Sequence, residues 1–182
     1  LLPLAFLYVW LYNAFPLLVL LTVLYCLAEL LIEHRLDPRP LLFAAVGTLL
    51  GLLINPYFPY DLLFIVRHLL PKLTEMTAVN VGSEWYPYQT AQLMENSPLA
   101  LVTFLMGVLA LGLQERRMEL RTASAFFAAV LFGAMLFLAR RFIEYFPAFV
   151  LIFTAFAWHP LLNDHPTLQA SPRRKPFSLF AN

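Results

Sequence analysis

The sequence predicts an all-α, polytopic transmembrane helical bundle, and three observations carry that prediction. Hydrophobic residues make up 61% of the 182 residues and charged residues only 13%, about half the roughly 25% charge of a soluble domain. Several apolar runs approach the roughly 20 residues that a helix rising about 1.5 Å per residue needs to cross a bilayer. The charges gather in the turns between those runs.

The elements follow in order. Residues 1–12 are apolar but short and stop at Asn13 and Pro16. They read as a partial span, either the tail of a cut helix or the first half of a kinked one. Residues 14–32 form a full span. The charged turn 33–40 carries two helix-breaking prolines, Pro38 and Pro40. Residues 41–54 form the next span, closed by Asn55-Pro56. A long mixed loop covers 57–97. Spans follow at 99–113, 122–139 and 142–158, separated by the charged turn 114–121 and by Arg140-Arg141. This makes about five full spans plus the partial one. The bundle occupies 1–160, and 161–182 is a polar, Pro-rich tail. Leu1 is apolar, without a preceding Met or a basic stretch, so the chain reads as a fragment of a longer polypeptide.

Lys and Arg set the orientation. Arg35, Arg39, Arg116, Arg117, Arg121, Arg173, Arg174 and Lys175 fall on one side; Arg67, Lys72, Arg140 and Arg141 fall on the other. The richer side is cytoplasmic by the positive-inside rule, which makes the tail cytoplasmic and puts loop 57–97 in the periplasm or outside the cell. Within that loop, Leu62, Ile65, Val66, Leu69 and Leu73 share a face, which predicts an amphipathic helix at about 60–70 lying in the membrane interface. Beyond it, Glu84, Trp85, Tyr86 and Tyr88 form an aromatic cluster with one acid. Its rings would stack on a sugar or seal the loop against lipid.

Few residues carry chemistry. Cys26 stands alone in an apolar run; it excludes an intrachain disulfide and reads as packing. His159 and His165 lack metal-ligand spacing, so no metal site is assigned. No cofactor is identifiable, although a longer protein leaves room for a divalent metal. No nucleic-acid partner is expected; membrane lipids are. Gly47 and Gly51, one turn apart, allow close helix approach, read as packing within the bundle. Glu29, near the inner end of a span, reads as interfacial. Arg140, Arg141 and Glu144 are the strongest signal. The arginines run against the positive-inside bias, and adjacent guanidinium forks suit a lipid phosphate. Glu144, one turn on, would hold one of them; the competing role is anchoring at the membrane boundary.

Taken together, Asn55-Pro56-Tyr57 closing a span, the amphipathic helix, Glu84-Trp85-Tyr86-Pro87, and Arg140-Arg141 with Glu144-Tyr145-Phe146-Pro147 opening a later span resemble a group of uncharacterised bacterial multi-spanning membrane proteins. That group is similar in layout to the C-type glycosyltransferase superfamily. Trp10 and Asn13 also resemble a segment preceding these motifs. The resemblance covers roughly residues 10–158. It implies transfer of a sugar from a polyprenyl-phosphate-linked donor on the outer face of a bacterial cytoplasmic membrane. It implies lipid-phosphate contacts from Arg140, Arg141 and Glu144, and sugar or cleft contacts from Glu84, Trp85 and Asn55. Such enzymes carry a catalytic acid in their first outside loop. No acidic pair stands in that position here, so the catalytic residue is unassigned. Phe58 stands where many relatives have Gly. The alternative function is non-enzymatic: a transporter or assembly subunit binding lipid or another subunit, for which a broken helix at Asn13–Pro16 would speak.

The charge split yields a test. With Cys26 replaced, cysteines at positions 89 and 118 will react with a membrane-impermeant thiol reagent from opposite sides of the membrane. Reaction of both from one side ends this topology.

Overall fold

The computed structural model describes residues 1–69 and 85–163. The described residues are helical, with no strand among them. Helix α1 spans Leu2–Leu11, α2 Pro16–Glu33 and α3 Arg39–Ile54. Helix α4, Tyr60–Phe64, runs on as a π-helical turn, Ile65–Leu69. Then come α5 (Thr90–Asn96), α6 (Pro98–Leu113) and α7 (Leu120–Leu138). A 3-10 turn, Arg140–Glu144, leads into α8, Phe146–Asn163.

Proline stands in the first turn of five of these helices, Pro147 in α8 among them. Pro3, Pro16, Pro40 and Pro98 each stand in a first turn, where the missing N–H costs nothing because that donor has no intrahelical acceptor. His34 closes α2 in the left-handed conformation, φ 54°, which ends the helix before the charged turn.

Helices α2, α7 and α8, with 18, 19 and 18 residues, are long and apolar enough to cross a membrane. Helices α3 and α6 have 16 residues each, about 24 Å at 1.5 Å per residue against a hydrocarbon core of about 30 Å. Helix α8 starts later than its apolar run and continues through His159 and Pro160 to Asn163, so the helix takes in the first residues of the expected polar tail. Residues 164–182, with His165, lie outside the described residues. The loop expected at 57–97 contains a second helix, α5. Its end and the start of α6 meet at Ser97-Pro98, where Ser97 leaves helical geometry.

Helix α1 packs on α3; α2 packs on α3 and α7; α7 and α6 both pack on α8. Chain direction follows from the contacts. Gly47 lies against Leu2 and Ala5, and Gly51 against Phe6 and Val9, so α1 and α3 run parallel. Phe15, at the start of α2, shares a buried cluster with Leu52 at the end of α3, so α2 runs back antiparallel. The break at 13–16 is therefore a hairpin between antiparallel helices, not a kink within one. Helices α6 and α8 run parallel, with Thr103 beside Thr154 and Met106 beside Trp158.

Small residues set the spacing. Ala123, Ala125, Ala128 and Ala129 are buried on α7, which lets α8 approach. Between them Phe132, Leu136, Val150 and Phe153 are fully buried, and Phe132 stacks on Phe149 at 5.0 Å between ring centroids. The outer surface is apolar: Leu53, Leu105, Phe137 and Leu151 are all exposed, as a lipid-facing surface requires.

Close approach then lets side chains reach backbone. The Trp10 indole Nε1–H donates to the Gly51 carbonyl at 3.0 Å. Near the end of α3 the Asn55 N–H turns to Leu52 O, so the Gly51 carbonyl belongs to the last turn, where helices leave acceptors unfilled. Across α6 and α8, the Thr154 hydroxyl donates to Thr103 O at 2.8 Å and Trp158 Nε1–H to Met106 O at 3.1 Å. Gln114 Nε2 donates to Ala157 O. Glycine makes room there too: a Cβ on Gly107 would stand 2.5 Å from the Phe153 ring.

Gly47 offers the sharpest test of this packing. A Cβ there would lie 2.5 Å from Leu2 O and 2.8 Å from Ala5 Cβ. Gly47→Val will destabilise the detergent-solubilised protein by about 1–3 kcal/mol, the usual cost of overpacking. Gly112 has nothing within 4 Å, and Gly112→Ala will leave the thermal midpoint unchanged or slightly raised. Equal midpoints for both variants would refute the close α1–α3 contact.

Candidate functional site

The candidate site lies at the end of the bundle where the α1–α2 linker, the segment before α5 and the 3-10 turn converge. The Arg140 N–H donates to Tyr86 O at 3.1 Å, which joins the turn to that segment. Across the other side, the hydroxyls of Tyr12 and Tyr145 are hydrogen-bonded. Residues 85–97 and 140–141 therefore share one end of the bundle. The turn 33–40 and residues 114–121 sit at the other, where Asp37 N–H donates to Glu29 Oε2 at 3.2 Å and the Arg121 guanidinium lies 5.6 Å over the Phe156 ring. Glu29 thus accepts from the charged turn that follows its helix. Cys26 is buried, its Sγ 3.7 Å from Asp37 O.

The two arginines point to different neighbours. The Arg140 guanidinium lies 5.1 Å from the Tyr88 ring centroid and reaches Gln92 Oε1 at 3.5 Å. Its Nε is withdrawn from solvent and has no acceptor among the described residues. An unfilled donor of this kind costs free energy until an acceptor arrives. The Arg141 guanidinium lies 5.7 Å over the Trp85 ring. It also lines an apolar pocket of about 190 Å³ with Pro16, Leu17, Leu20, Met135 and Tyr145.

Glu144 is exposed. The one-turn spacing to both Arg140 and Arg141 assumes an α-helix. In a 3-10 turn of about three residues, positions 140 and 144 diverge by about 120°, and 141 eclipses 144 instead. Arg140 accordingly turns to Gln92 and Tyr88. Trp85 is buried, 8% exposed, and belongs to the core. Glu84 lies outside the described residues.

Asn55 ends α3 in extended conformation, and its Oδ1 accepts the Tyr57 N–H at 3.0 Å. That is a helix stop reinforced by a side-chain turn. Asn55 nevertheless lines a second cavity, a mainly apolar cleft of about 390 Å³ shared with Val9, Trp10, Asn13, Phe15, Tyr57, Tyr60, Asp61, Phe64 and Ile65. Asp61 reads from sequence as one of the polar residues of an amphipathic helix. Residues 60–69 are helical, as α4 and its π-helical continuation, with Ile65 packed toward Val9, Phe15 and Leu52; Leu62 and Val66 stay exposed. The signal for Asp61 was its place soon after Asn55-Pro56, which the resemblance had singled out for Asn55 alone. Among the described residues no group of three His, Cys, Asp or Glu side chains could hold a metal.

The linker between the cavities is held by the Tyr12–Tyr145 pair. Tyr145→Phe will leave the Tyr12 hydroxyl without its partner and lower stability by about 1 kcal/mol. The double variant Tyr12→Phe with Tyr145→Phe will cost less than the sum of the single variants, as coupled groups do. Additive losses in thermal unfolding would show that the two hydroxyls act independently. Searched for against known proteins, the chain matches no family model, no curated protein and no solved structure.

Proposed function

We propose that the chain belongs to a membrane glycosyltransferase-like protein that handles a sugar carried on a polyprenyl phosphate, at the bundle end holding Arg140 and Arg141. That end faces outward from a bacterial cytoplasmic membrane, and five full spans with the partial α1 carry it. The reading is supported first by the apolar pocket with Arg141 on its wall. A polyprenyl phosphate is an apolar chain ending in an anion. The pocket offers Pro16, Leu17, Leu20 and Met135 to the chain and a guanidinium to the phosphate. Arg140 is the adjacent residue, with its guanidinium on Tyr88 and Gln92. Helix α4 and its continuation lie along the membrane surface beside this end.

The transporter alternative loses its best support. A discontinuous helix at 13–16 would suit a transporter, but the break is a hairpin turn at the bundle end rather than an interruption at mid-depth.

The test is ligand affinity. Arg141→Lys keeps the charge but loses the planar fork, and will weaken binding of undecaprenyl phosphate to the nanodisc-embedded protein about tenfold or more. Arg140→Lys will weaken it as well, by less, because the Tyr88 and Gln92 contacts hold that side chain away from the pocket wall. Expression and insertion will stay near wild type, since Lys also anchors at a membrane boundary. Unchanged affinity in both variants would return the arginines to anchoring.

A further inference from the structure

We infer that helix α4, with the turn that leads into it, is sunk in the acyl-chain layer of the leaflet at its end of the bundle, where it completes the span that α3 leaves short. Its partner is lipid hydrocarbon rather than headgroups or water. This depth is independent of what the arginines bind.

Helix α3 begins at Arg39, in a turn that also carries Arg35 and Asp37, so that end stands at the membrane boundary. Its 16 residues rise about 24 Å, against a hydrocarbon core of about 30 Å. The other end, at Asn55, therefore stops about 6 Å inside the opposite boundary. Helix α4 follows α3, yet Ile65 in its continuation packs back against the cluster of Val9, Phe15 and Leu52. The chain thus folds over the end of α3 instead of leading away from it. A helix with its side chains is about 10–12 Å thick, enough to fill the missing depth. A short span left uncovered would have to thin the bilayer.

The surface of α4 suits that depth. A helix resting on headgroups keeps a strongly polar outer face. Here Leu62, Leu63, Phe64 and Val66 are all exposed, and at about 100° per residue they surround the helix. Leu63 stands about 160° from Ile65, so the side turned away from the bundle is apolar as well. Tyr57 and Phe58 are exposed too and join this surface to Leu53 and Ile54, in the last turn of α3. Asp61 is the single charged residue between Asn55 and Val66; it is half-buried, with Oδ2 withdrawn from the surface. Arg67, next in the chain, is exposed, and its stem can carry the guanidinium up to the headgroups. A helix with apolar residues around it belongs in a core or in a membrane, and α4 lies on the outside of this bundle.

The backbone of the turn meets the stricter demand of hydrocarbon, where water cannot satisfy a stray N–H. The Asn55 N–H donates to Leu52 O, the Phe58 N–H to Asn55 O and the Tyr60 N–H to Tyr57 O. The Tyr57 N–H donates to Asn55 Oδ1. Pro56 and Pro59 have no N–H to satisfy. Every backbone donor from Asn55 to Tyr60 is therefore matched inside the chain.

The experiment reads depth directly. Single cysteines replace Leu53, Leu63, Val66 and Arg117 in a Cys26→Ala background, and each carries a nitroxide in nanodiscs holding one full chain. Collision of the nitroxide with oxygen, which concentrates in hydrocarbon, is compared with collision with a water-soluble nickel chelate. The oxygen-to-nickel ratio at Leu63 and Val66 will match that at Leu53 and exceed that at Arg117, in a charged turn, several-fold. A ratio at Leu63 near that at Arg117 would place the helix on the headgroups and overturn the proposal. Weak collision with both reagents would mean that protein covers this face, and would overturn it as well. The wild-type chain supplies a second reading free of any label on α4. Phospholipids with a diazirine in the acyl chain will crosslink to the peptide containing residues 57–66. Crosslinking there from a headgroup diazirine alone refutes immersion.

Discussion

The structure depends on how closely its helices can approach. In a hydrocarbon solvent an apolar side chain gains little by meeting another, because lipid tails are as apolar as leucine. What remains is van der Waals contact and the hydrogen bonds that contact allows. Gly47 and Gly51 let α3 meet the backbone of α1, and Gly107 lets α6 meet Phe153 and Thr154 on α8. At that range an indole, a hydroxyl or an amide reaches a carbonyl on the neighbouring helix. Trp10, Thr154, Trp158 and Gln114 all do so. A carbonyl has two lone pairs, so mid-helix acceptors such as Thr103 O and Met106 O accept these bonds without surrendering their own helical ones. The same device appears in both parallel helix pairs, α1 with α3 and α6 with α8. Helices α2 and α7 join the two pairs.

That arrangement also sets where chemistry can sit. The helix barrels are closed by apolar packing, with Phe132 and Phe153 filling the centre. Polar groups that need solvent or a ligand are pushed to the helix ends. There the chain leaves helical geometry at Tyr12, Asn55, Ser97 and Ala139. Both cavities of interest lie at that end, and both are lined by residues flanking those exits.

The fold was largely legible because its signals are local. Apolar runs, charged turns and first-turn prolines mark α2, α3, α6 and α7 to within about two residues at each end. The misplacements have physical reasons. Helix α8 begins only at Phe146 because Arg140–Glu144 is a 3-10 turn, and the apolar residues within it, Phe142 and Ile143, look like helix from sequence. It continues past His159 because Pro160 is tolerated within the helix, contrary to the expectation that proline ends one. Helix α5 is short and polar and gives no hydropathic signal. The site was less legible because it is made by residues far apart in sequence. Nothing local says that Tyr12 meets Tyr145 or that Arg141 covers Trp85. Asp61 carried a plain amphipathic reading, and only the cleft built by α1, α3 and α4 distinguishes it.

The α1–α2 linker is therefore the element whose geometry matters most. It is only four residues long, from Tyr12 to Phe15, and residues along it line both cavities. Asn13 and Phe15 border the cleft; Ala14 borders the Arg141 pocket. Three ties hold it. Tyr12 bonds Tyr145 just after the 3-10 turn, Trp10, just before the linker, bonds Gly51, and Phe15 is buried with Val9 and Leu52. A linker pinned at both ends and in the middle has little freedom to move, and ordering it was done at folding rather than at binding. Pre-organisation of that kind lowers the entropic cost of capturing a ligand. The Tyr12–Tyr145 bond acts there as a strut that sets the separation of the two cavities.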